Sequence, residues 1–204
     1  MIDLKKRVAL IGVLVSLVPL GQPLLIGTSS LIMSAAVMFS ISEKAQADSA
    51  AFYYNRGLDK YDAGDFSGAI GAYNEVIKQY PNHPQIFDVY INRGAAKRML
   101  GDYSGAIADH SKAIEVIEID PRDVEAYSDA YYNRGSAKFD LKDFSGTISD
   151  YSKAIEINPS NIDAYIYGGI AKQKLGDIKG ACSYWREASF RGDQDATKWV
   201  RNQC

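Results

Sequence analysis

One pattern recurs four times between residues 50 and 190. Each copy has a tyrosine followed four residues later by a glycine, and a turn sequence follows seven residues after that glycine. The four glycines are Gly57, Gly94, Gly135 and Gly169. Copies spaced by about 34 to 41 residues are typical of repeats that stack on one another and share one continuous core.

Each copy predicts two helices joined by a tight turn. Gly64 and Gly101 stand where the end of a helix favours a left-handed residue, and the aspartate that follows each can cap the next helix. A proline closes three of the copies, because proline cannot continue a helix. These prolines are Pro81, Pro121 and Pro159.

Helical spacing places small and aromatic residues of each copy on one apolar face. In the first copy these residues are Tyr53, Gly57, Ala69, Tyr73 and Val76. The small residues let the paired helices approach closely. In the second and third copies the stretch between proline and glycine is longer, which predicts that their first helices begin about one turn early.

These residues resemble the tetratricopeptide repeat family, whose 34-residue unit carries W-x2-L-G-x2-Y, then A-x3-F and a proline. The resemblance covers residues 50 to about 190 and implies an all-α, right-handed α-solenoid of helix-turn-helix repeats. Arginine stands where the family has leucine in three copies, and threonine replaces an alanine in one. These departures are Arg56, Arg93, Arg134 and Thr147.

The domain organisation predicted from these patterns has three parts. Residues 1–47 form a signal peptide or membrane anchor, residues 48–189 hold four repeats, and residues 190–204 form a C-terminal capping helix. The repeats are expected at about 50–86, 87–127, 128–161 and 162–189.

The N-terminal segment carries an export pattern. Lys5, Lys6 and Arg7 precede an apolar stretch, and Ala45-x-Ala47 fits the small-residue cleavage rule. The alternative is an uncleaved anchor in which residues 8–41 contact the membrane and the basic residues stay in the cytoplasm. Both interpretations place the repeats outside the cytoplasm. The protein is then either exported to a periplasmic, lumenal or extracellular space, or anchored in the membrane and facing outside the cytoplasm.

Composition argues against several functional classes. The formal charge is −2 and the pI about 5.7, without the basic footprint of a nucleic-acid binder. Two histidines and two cysteines are too few for most metal or redox sites, and no catalytic or phosphate-binding motif is present. We therefore expect a non-catalytic protein without cofactor or metal. An enzyme that uses Cys182 or His110 is the alternative, although His110 occupies the aromatic packing position of the second repeat.

The two cysteines suggest a disulfide bond. Cys182 lies on the second helix of the fourth repeat and Cys204 ends the capping helix, so both face the same junction if the cap packs where another repeat would. In an exported chain this placement favours a bridge. Two unpaired thiols are the alternative.

Some members of the family hold a peptide carboxylate with lysine and asparagine at fixed positions. The positions that match the lysine hold Tyr54, Ile91, Tyr132 and Ile166. The positions that match the asparagine hold Leu58, Ala95, Ser136 and Ile170. The resemblance therefore implies that this clamp is absent. The repeated Asn-Arg pairs, which begin with Asn55-Arg56, are expected to bridge neighbouring repeats or cap loops instead.

The resemblance also implies a concave groove lined mostly by tyrosine and isoleucine, with an aspartate at its rim in three repeats. The groove residues are Tyr54, Leu58, Tyr61, Ile91, Arg98, Tyr132, Ser136, Phe139, Ile166, Ile170 and Gln173, and the rim residues are Asp88, Asp129 and Asp163. Such a groove suits an apolar or amphipathic segment of another protein, flanked by lysine or arginine. The aspartates equally suit helix N-termini. A membrane-anchored assembly factor and self-association through the repeats remain alternatives.

Overall fold

The computed structural model describes residues 35–119 and 124–204, with side chains described for 49–117 and 124–204. Contacts divide the chain into two units, residues 1–39 and 40–204. In the first unit the described residues are the opening residues of one helix. Most of the predicted signal or anchor segment therefore lies outside the described residues.

The described residues form nine α-helices and no strand. The helices are α1 (Ala35–Asp62), α2 (Phe66–Gln79), α3 (Ile86–Met99), α4 (Tyr103–Ile119), α5 (Val124–Asp140), α6 (Phe144–Ile157), α7 (Ile162–Lys174), α8 (Ile178–Phe190) and α9 (Gln194–Gln203). From α2 onward each helix packs on the next along the chain, and α3 also contacts α5. This arrangement confirms an all-α solenoid of helical hairpins.

The turn inside each hairpin follows the predicted chemistry. Gly64, Gly101 and Gly176 have φ of 77°, 82° and 81°, and in the third repeat Lys142 takes the same place with φ of 64°. The next residue is an aspartate whose side chain accepts a hydrogen bond from the third backbone N–H of the following helix. For Asp65 this bond comes from the backbone N–H of Gly68, at 2.8 Å.

Inside each hairpin the glycine of the first helix lies against a large ring of the second. A Cβ added at Gly94 would lie 2.7 Å from Cε1 of His110, and one added at Gly135 would lie 2.8 Å from Cε1 of Tyr151. Real Cβ atoms do not approach other atoms so closely, so these positions require glycine. The rings in the four repeats are Tyr73, His110, Tyr151 and Trp185, all at most 1% exposed.

The predicted early start of the first helices is confirmed in the third repeat and wrong in the second. Helix α5 begins at Val124, about one turn earlier relative to its glycine than α7 does, whereas α3 begins at Ile86, only one residue earlier than α7. In the second repeat the extra residues form a hydrogen-bonded turn instead. The backbone N–H of His83 donates to the carbonyl of Tyr80 at 3.0 Å, and that of Ile86 donates to the carbonyl of His83 at 3.0 Å.

Helix α9 closes the solenoid by packing on α8. Asp193 caps it by accepting a hydrogen bond from the backbone N–H of Ala196 at 2.6 Å, and Ala196 is fully buried. The ring centroids of Trp199 and Trp185 are 5.3 Å apart. Among the helices described, none combines the length and the apolar character needed to cross a membrane.

Candidate partner-binding groove

The first helices of the four repeats form one surface, the inner surface, because their side chains contact one another from repeat to repeat. Asn92 on α3 donates a hydrogen bond to the hydroxyl of Tyr54 on α1 at 2.9 Å. Arg98 on α3 donates from Nε to Asp140 on α5 at 2.6 Å. The rings of Tyr132 on α5 and Tyr167 on α7 have centroids 6.5 Å apart.

Among the described residues, three cavities are lined in part by side chains of the first helices. The N-terminal cavity, about 420 Å³, is lined by residues that include Ala50, Tyr54, Val76, Asp88 and Val89. The central cavity, about 120 Å³, is lined by Arg98, Tyr132, Ser136, Phe139, Tyr151 and Tyr167. The C-terminal cavity, about 470 Å³, is lined by residues that include Asp129, Tyr132, Ile162, Asp163, Ile166 and Asp193.

Nine of the fourteen residues predicted for the groove line these cavities. They are Tyr54 and Asp88 in the N-terminal cavity, Arg98, Tyr132, Ser136 and Phe139 in the central cavity, and Asp129, Asp163 and Ile166, with Tyr132 again, in the C-terminal cavity. Their part in binding a partner stays a prediction.

The other five predicted groove residues lie outside these cavities. Tyr61 packs edge-on against Phe66, with ring centroids 5.2 Å apart. Ile91 and Ile170 pack against the buried clusters of the second and fourth repeats. Gln173 donates a hydrogen bond to the side chain of Gln203 on α9 at 2.7 Å, and Leu58 is half-buried. For these five residues as well, partner binding stays a prediction.

Sequence reasoning missed two residues of the central cavity, Tyr151 and Tyr167. Tyr151 belongs to the second helix and is 1% exposed, so nothing in the repeat pattern indicates that its hydroxyl reaches the cavity. The sequence did distinguish Tyr167, because the first three repeats have asparagine at this position, as part of the Asn-Arg pair, and the fourth has tyrosine. Its side chain is 42% exposed.

Two arginines of the Asn-Arg pairs, Arg93 and Arg134, join neighbouring repeats, as expected. Arg93 donates from Nε to Asp109 at 2.8 Å within its own repeat, and from Nη1 to Asn74 of the preceding repeat at 2.7 Å. Arg134 donates from Nε to Asp150 within its own repeat at 3.0 Å, and from Nη1 to Ser111 of the preceding repeat at 3.2 Å. These side chains are therefore structural links between hairpins.

The hydroxyls at the inner surface stay protonated at neutral pH. Burial raises the pKa of Tyr54 and of Tyr132 above the ordinary value, and burial raises that of Tyr151 to about 12. Burial alone would lower the pKa of Arg98, but the hydrogen bond with Asp140, the negative charge of Asp140 and smaller contributions from Tyr151 and Tyr132 together outweigh it, and the pKa is raised. The central cavity thus combines neutral hydroxyls with a charged guanidinium.

His110 is a buried packing residue. Burial is the main reason that its pKa is lowered to about 4. The charges of Arg98 and Arg134 lower it further, while Asp109 and Asp150 oppose the shift. Neither ring nitrogen has a hydrogen-bond partner among the described residues. His110 is fully buried and so cannot touch a substrate in this structure.

The two cysteines lie together at the end of the solenoid. The Cα atoms of Cys182 and Cys204 are 5.7 Å apart, within the range of a disulfide bridge, and Cys182 is 5% exposed. Formation of the bond in the protein stays a prediction. Among the residues that the structure covers, no group of three or more His, Cys, Asp or Glu side chains is arranged to hold a metal ion.

Comparisons with known proteins identify the repeat. Residues 128–161 match the tetratricopeptide repeat, and residues 43–83 match a second profile of the same repeat. No curated protein matches the chain.

Several solved structures have a similar fold. A crystal structure of MamA is 24% identical, with a TM-score of 0.63, over 78% of this chain and 87% of that one. MamA 41-end from Desulfovibrio magneticus RS-1 is 23% identical, with a TM-score of 0.59, over 70% and 75%. The first TPR of Spaghetti (RPAP3), bound to the HSP90 peptide SRMEEVD, is 23% identical, with a TM-score of 0.56, over 63% and 94%.

Because the sequence identities are below 25%, the similar structures establish the fold alone. The two profile matches identify the helical hairpins at residues 43–83 and 128–161 as tetratricopeptide repeats. The glycine–ring pairs, the Gly-Asp turns and the consecutive packing of hairpins agree with both. The chain is therefore an all-α solenoid that contains tetratricopeptide repeats, matched at residues 43–83 and 128–161.

Proposed function

We propose that the protein is a non-catalytic interaction scaffold, exported from the cytoplasm, whose inner surface binds an apolar or amphipathic segment of another polypeptide. Proteins with this repeat are generally protein-interaction modules rather than enzymes, which supports the scaffold role. The cavities support the finer part of the proposal, because they offer space for the side chains of a bound segment.

The observation that carries the proposal is the row of cavities with a tyrosine in each. Tyr54 lines the N-terminal cavity, and Tyr132 lines both the central and the C-terminal cavities. Both side chains are partly exposed. Tyrosine provides a large, rigid contact area with one polar group at low entropic cost. Because Tyr132 is shared, a segment seated in the central cavity can continue into the C-terminal one.

The C-terminal cavity supports the expectation that lysine or arginine flanks the apolar part of the segment. Asp129, Asp163 and Asp193 line it together with the apolar Ile162 and Ile166. The stem of a lysine or arginine can pack on such isoleucines while its charged end approaches carboxylates. The RPAP3 structure supports peptide binding in general, because it was solved with a peptide bound.

Crosslinking capture from native extract tests the proposal. The bait is the full chain, compared with the double variant Tyr54→Ala/Tyr132→Ala and with Phe190→Ala as a control. Phe190 is 88% exposed at the end of α8, the second helix of the fourth repeat, and lines none of the three cavities. The control variant therefore also loses an aromatic ring but leaves the cavities unchanged. We expect the double variant to recover at least about tenfold less partner, while its circular dichroism stays helical. Equal recovery would contradict binding at the inner surface.

A membrane-anchored assembly factor is the second candidate, favoured by the apolar sequence within residues 8–41. Both candidates use the same groove and differ in the fate of the N-terminal segment. The mass of the native protein separates them. Loss of residues 1–47 supports export with cleavage, and an intact chain in the membrane fraction supports the anchor. Self-association is tested separately by solution mass across a concentration series.

A further inference from the structure

The central cavity contains a cation with unused hydrogen-bond donors. Arg98 reaches from α3 to α5, where its Nε donates to Asp140 at 2.6 Å. Its two Nη groups form no hydrogen bond with any described residue, and the side chain is 38% exposed. A guanidinium has five donor hydrogens in a fixed fork, so most of the hydrogen-bonding capacity of Arg98 is available at the cavity.

Of the hydroxyl groups around Arg98, those of Tyr132 and Tyr167 extend this donor character, whereas the protons of Ser136 and Tyr151 are used within the wall of the cavity. Ser136 donates its one hydrogen to the backbone carbonyl of Tyr132 at 3.0 Å, so the 3.0 Å contact between Ser136 and Tyr151 has the tyrosine hydroxyl as donor. Tyr167, on the neighbouring helix, brings a further hydroxyl to the cavity and is 42% exposed. Burial raises the pKa of Tyr132, so its hydroxyl keeps its proton at neutral pH.

The size and walls of the cavity limit what can occupy it. A volume of about 120 Å³ corresponds to a few water molecules, which suits a carboxyl group better than a large side chain. The rings of Tyr132, Phe139 and Tyr167 line the same cavity as Arg98 and can contact the CH₂ groups that carry a carboxylate. Guanidinium and carboxylate also match geometrically, because two parallel N–H···O bonds can form.

We propose that the central cavity binds an aspartate or glutamate side chain of the partner segment, with Arg98 as the main donor. The inference rests on the proposed function, since it names the chemistry that the groove recognises. Asp140 acts as a positioning residue, because it holds the guanidinium by Nε and leaves the Nη groups without a hydrogen-bond partner among the described residues. Arg98 lies outside the lysine and asparagine positions of the family's carboxylate clamp, which here hold Ile91 and Ala95 in the same repeat.

Peptide selection on the full chain tests the inference. A displayed library of random 12-residue peptides is selected on the wild type in detergent micelles, and on the variants Arg98→Gln, Arg98→Lys and Arg186→Gln. Arg186 is exposed on α8, away from the central cavity, and serves as the matched control. Each selected peptide is then synthesised with its acidic residue as Glu or as Gln, and both affinities are measured.

We expect selected peptides to be enriched in Asp or Glu next to apolar residues. The Glu form should bind the wild type at least about tenfold more tightly than the Gln form, a ratio that falls toward one in Arg98→Gln. Arg98→Lys should keep part of the preference because it keeps the charge, and Arg186→Gln should keep all of it. If Arg98→Gln instead lost its fold, it would bind both the Glu form and the Gln form more weakly. Retained binding of the Gln form therefore distinguishes loss of the carboxylate contact from unfolding.

Two contrary results have different meanings. If peptides are selected without acidic enrichment, or if the preference survives in Arg98→Gln, the carboxylate inference is overturned while groove binding stands. If no selected peptide depends on Tyr54 and Tyr132, as judged with the double alanine variant, the proposed function fails and this inference fails with it.

Discussion

Arg134 on α5 forms two hydrogen bonds with Asp150 on α6, from Nε at 3.0 Å and from Nη2 at 2.7 Å. Lys138 lies 2.8 Å from the same carboxylate, whose side chain is only 3% exposed. The second repeat has the same cluster around Asp109. In the first and fourth repeats the equivalent position holds Ala72 and Tyr184, so the charge clusters belong to the two central hairpins.

Removing the arginine should destabilise the solenoid. In Arg134→Ala, the nearly buried carboxylate of Asp150 keeps only Lys138 as a cationic partner within this cluster. We expect a loss of about 2 kcal/mol in the free energy of unfolding, less than for a fully orphaned buried charge because Lys138 remains. Urea titration measures it. Lys198→Ala removes an exposed pair with Asp195 and should change nothing measurable. Equal effects of the two variants would contradict a special role for the buried cluster.

The buried histidine should make the fold sensitive to acid. The pKa of His110 is lowered to about 4 in the folded state, against about 6.5 when unfolded. The unfolded chain therefore binds the proton first, and stability is lost as the pH falls from about 6.5 toward 4. The loss should approach 1.4 kcal/mol per pH unit in that window.

His110→Phe isolates this contribution, since it keeps a buried ring against Gly94. Denaturant unfolding at pH 7, 6 and 5 should show the wild type losing more stability than the variant as the pH falls. The same pH dependence in both proteins would mean that His110 is not held neutral in the folded state.

Lys142 is a strained residue in an otherwise favourable turn. Its φ of 64° is the left-handed conformation that Gly64, Gly101 and Gly176 adopt at the same place in the other repeats. Lys142→Gly should stabilise the third hairpin by about 1 kcal/mol. Gly101→Lys, its mirror in the second repeat, should destabilise by a similar amount. Thermal unfolding of the two variants checks both signs, and stabilisation by Gly101→Lys would contradict the strain argument.

The cysteine pair predicts a redox-dependent stability of the C-terminal end. If Cys182 and Cys204 are bridged, alkylation of the denatured chain without reductant should label neither cysteine. Reduction should then lower the free energy of unfolding by about 3 kcal/mol, because the closed loop no longer restrains the unfolded chain. Cys204→Ser should reproduce that loss without reductant. Labelling of both cysteines before reduction would rule out the bridge.

The hairpin turns and the packing inside each repeat could be predicted because they depend on local rules. A glycine in the left-handed region, an aspartate at an N-cap and a glycine under a ring are each dictated by one or two residues. Gly101, Asp102 and Gly94 stand in the structure as the sequence pattern requires.

The contacts between repeats could not be predicted in the same way. Arg98 and Asp140 occupy adjacent positions of the repeat, one residue apart in alignment, so their pairing depends on how far one hairpin is shifted along the next. The sequence pattern of a single repeat carries no information about this shift between neighbouring hairpins. The start of α3 at Ile86 also depends on the turn that precedes it. The spacing between proline and glycine shows that extra residues are present, but not whether they form a turn or lengthen the helix.

Site-specific photocrosslinking tests the central claim most directly. A benzoylphenylalanine is placed either at Tyr167, on the inner surface, or at Phe190, at the end of a second helix; both side chains are exposed. Irradiation of the full chain in its native cells should give a discrete crosslinked partner from position 167 and none from position 190. Crosslinking from position 190 with none from position 167 would contradict binding at the inner surface.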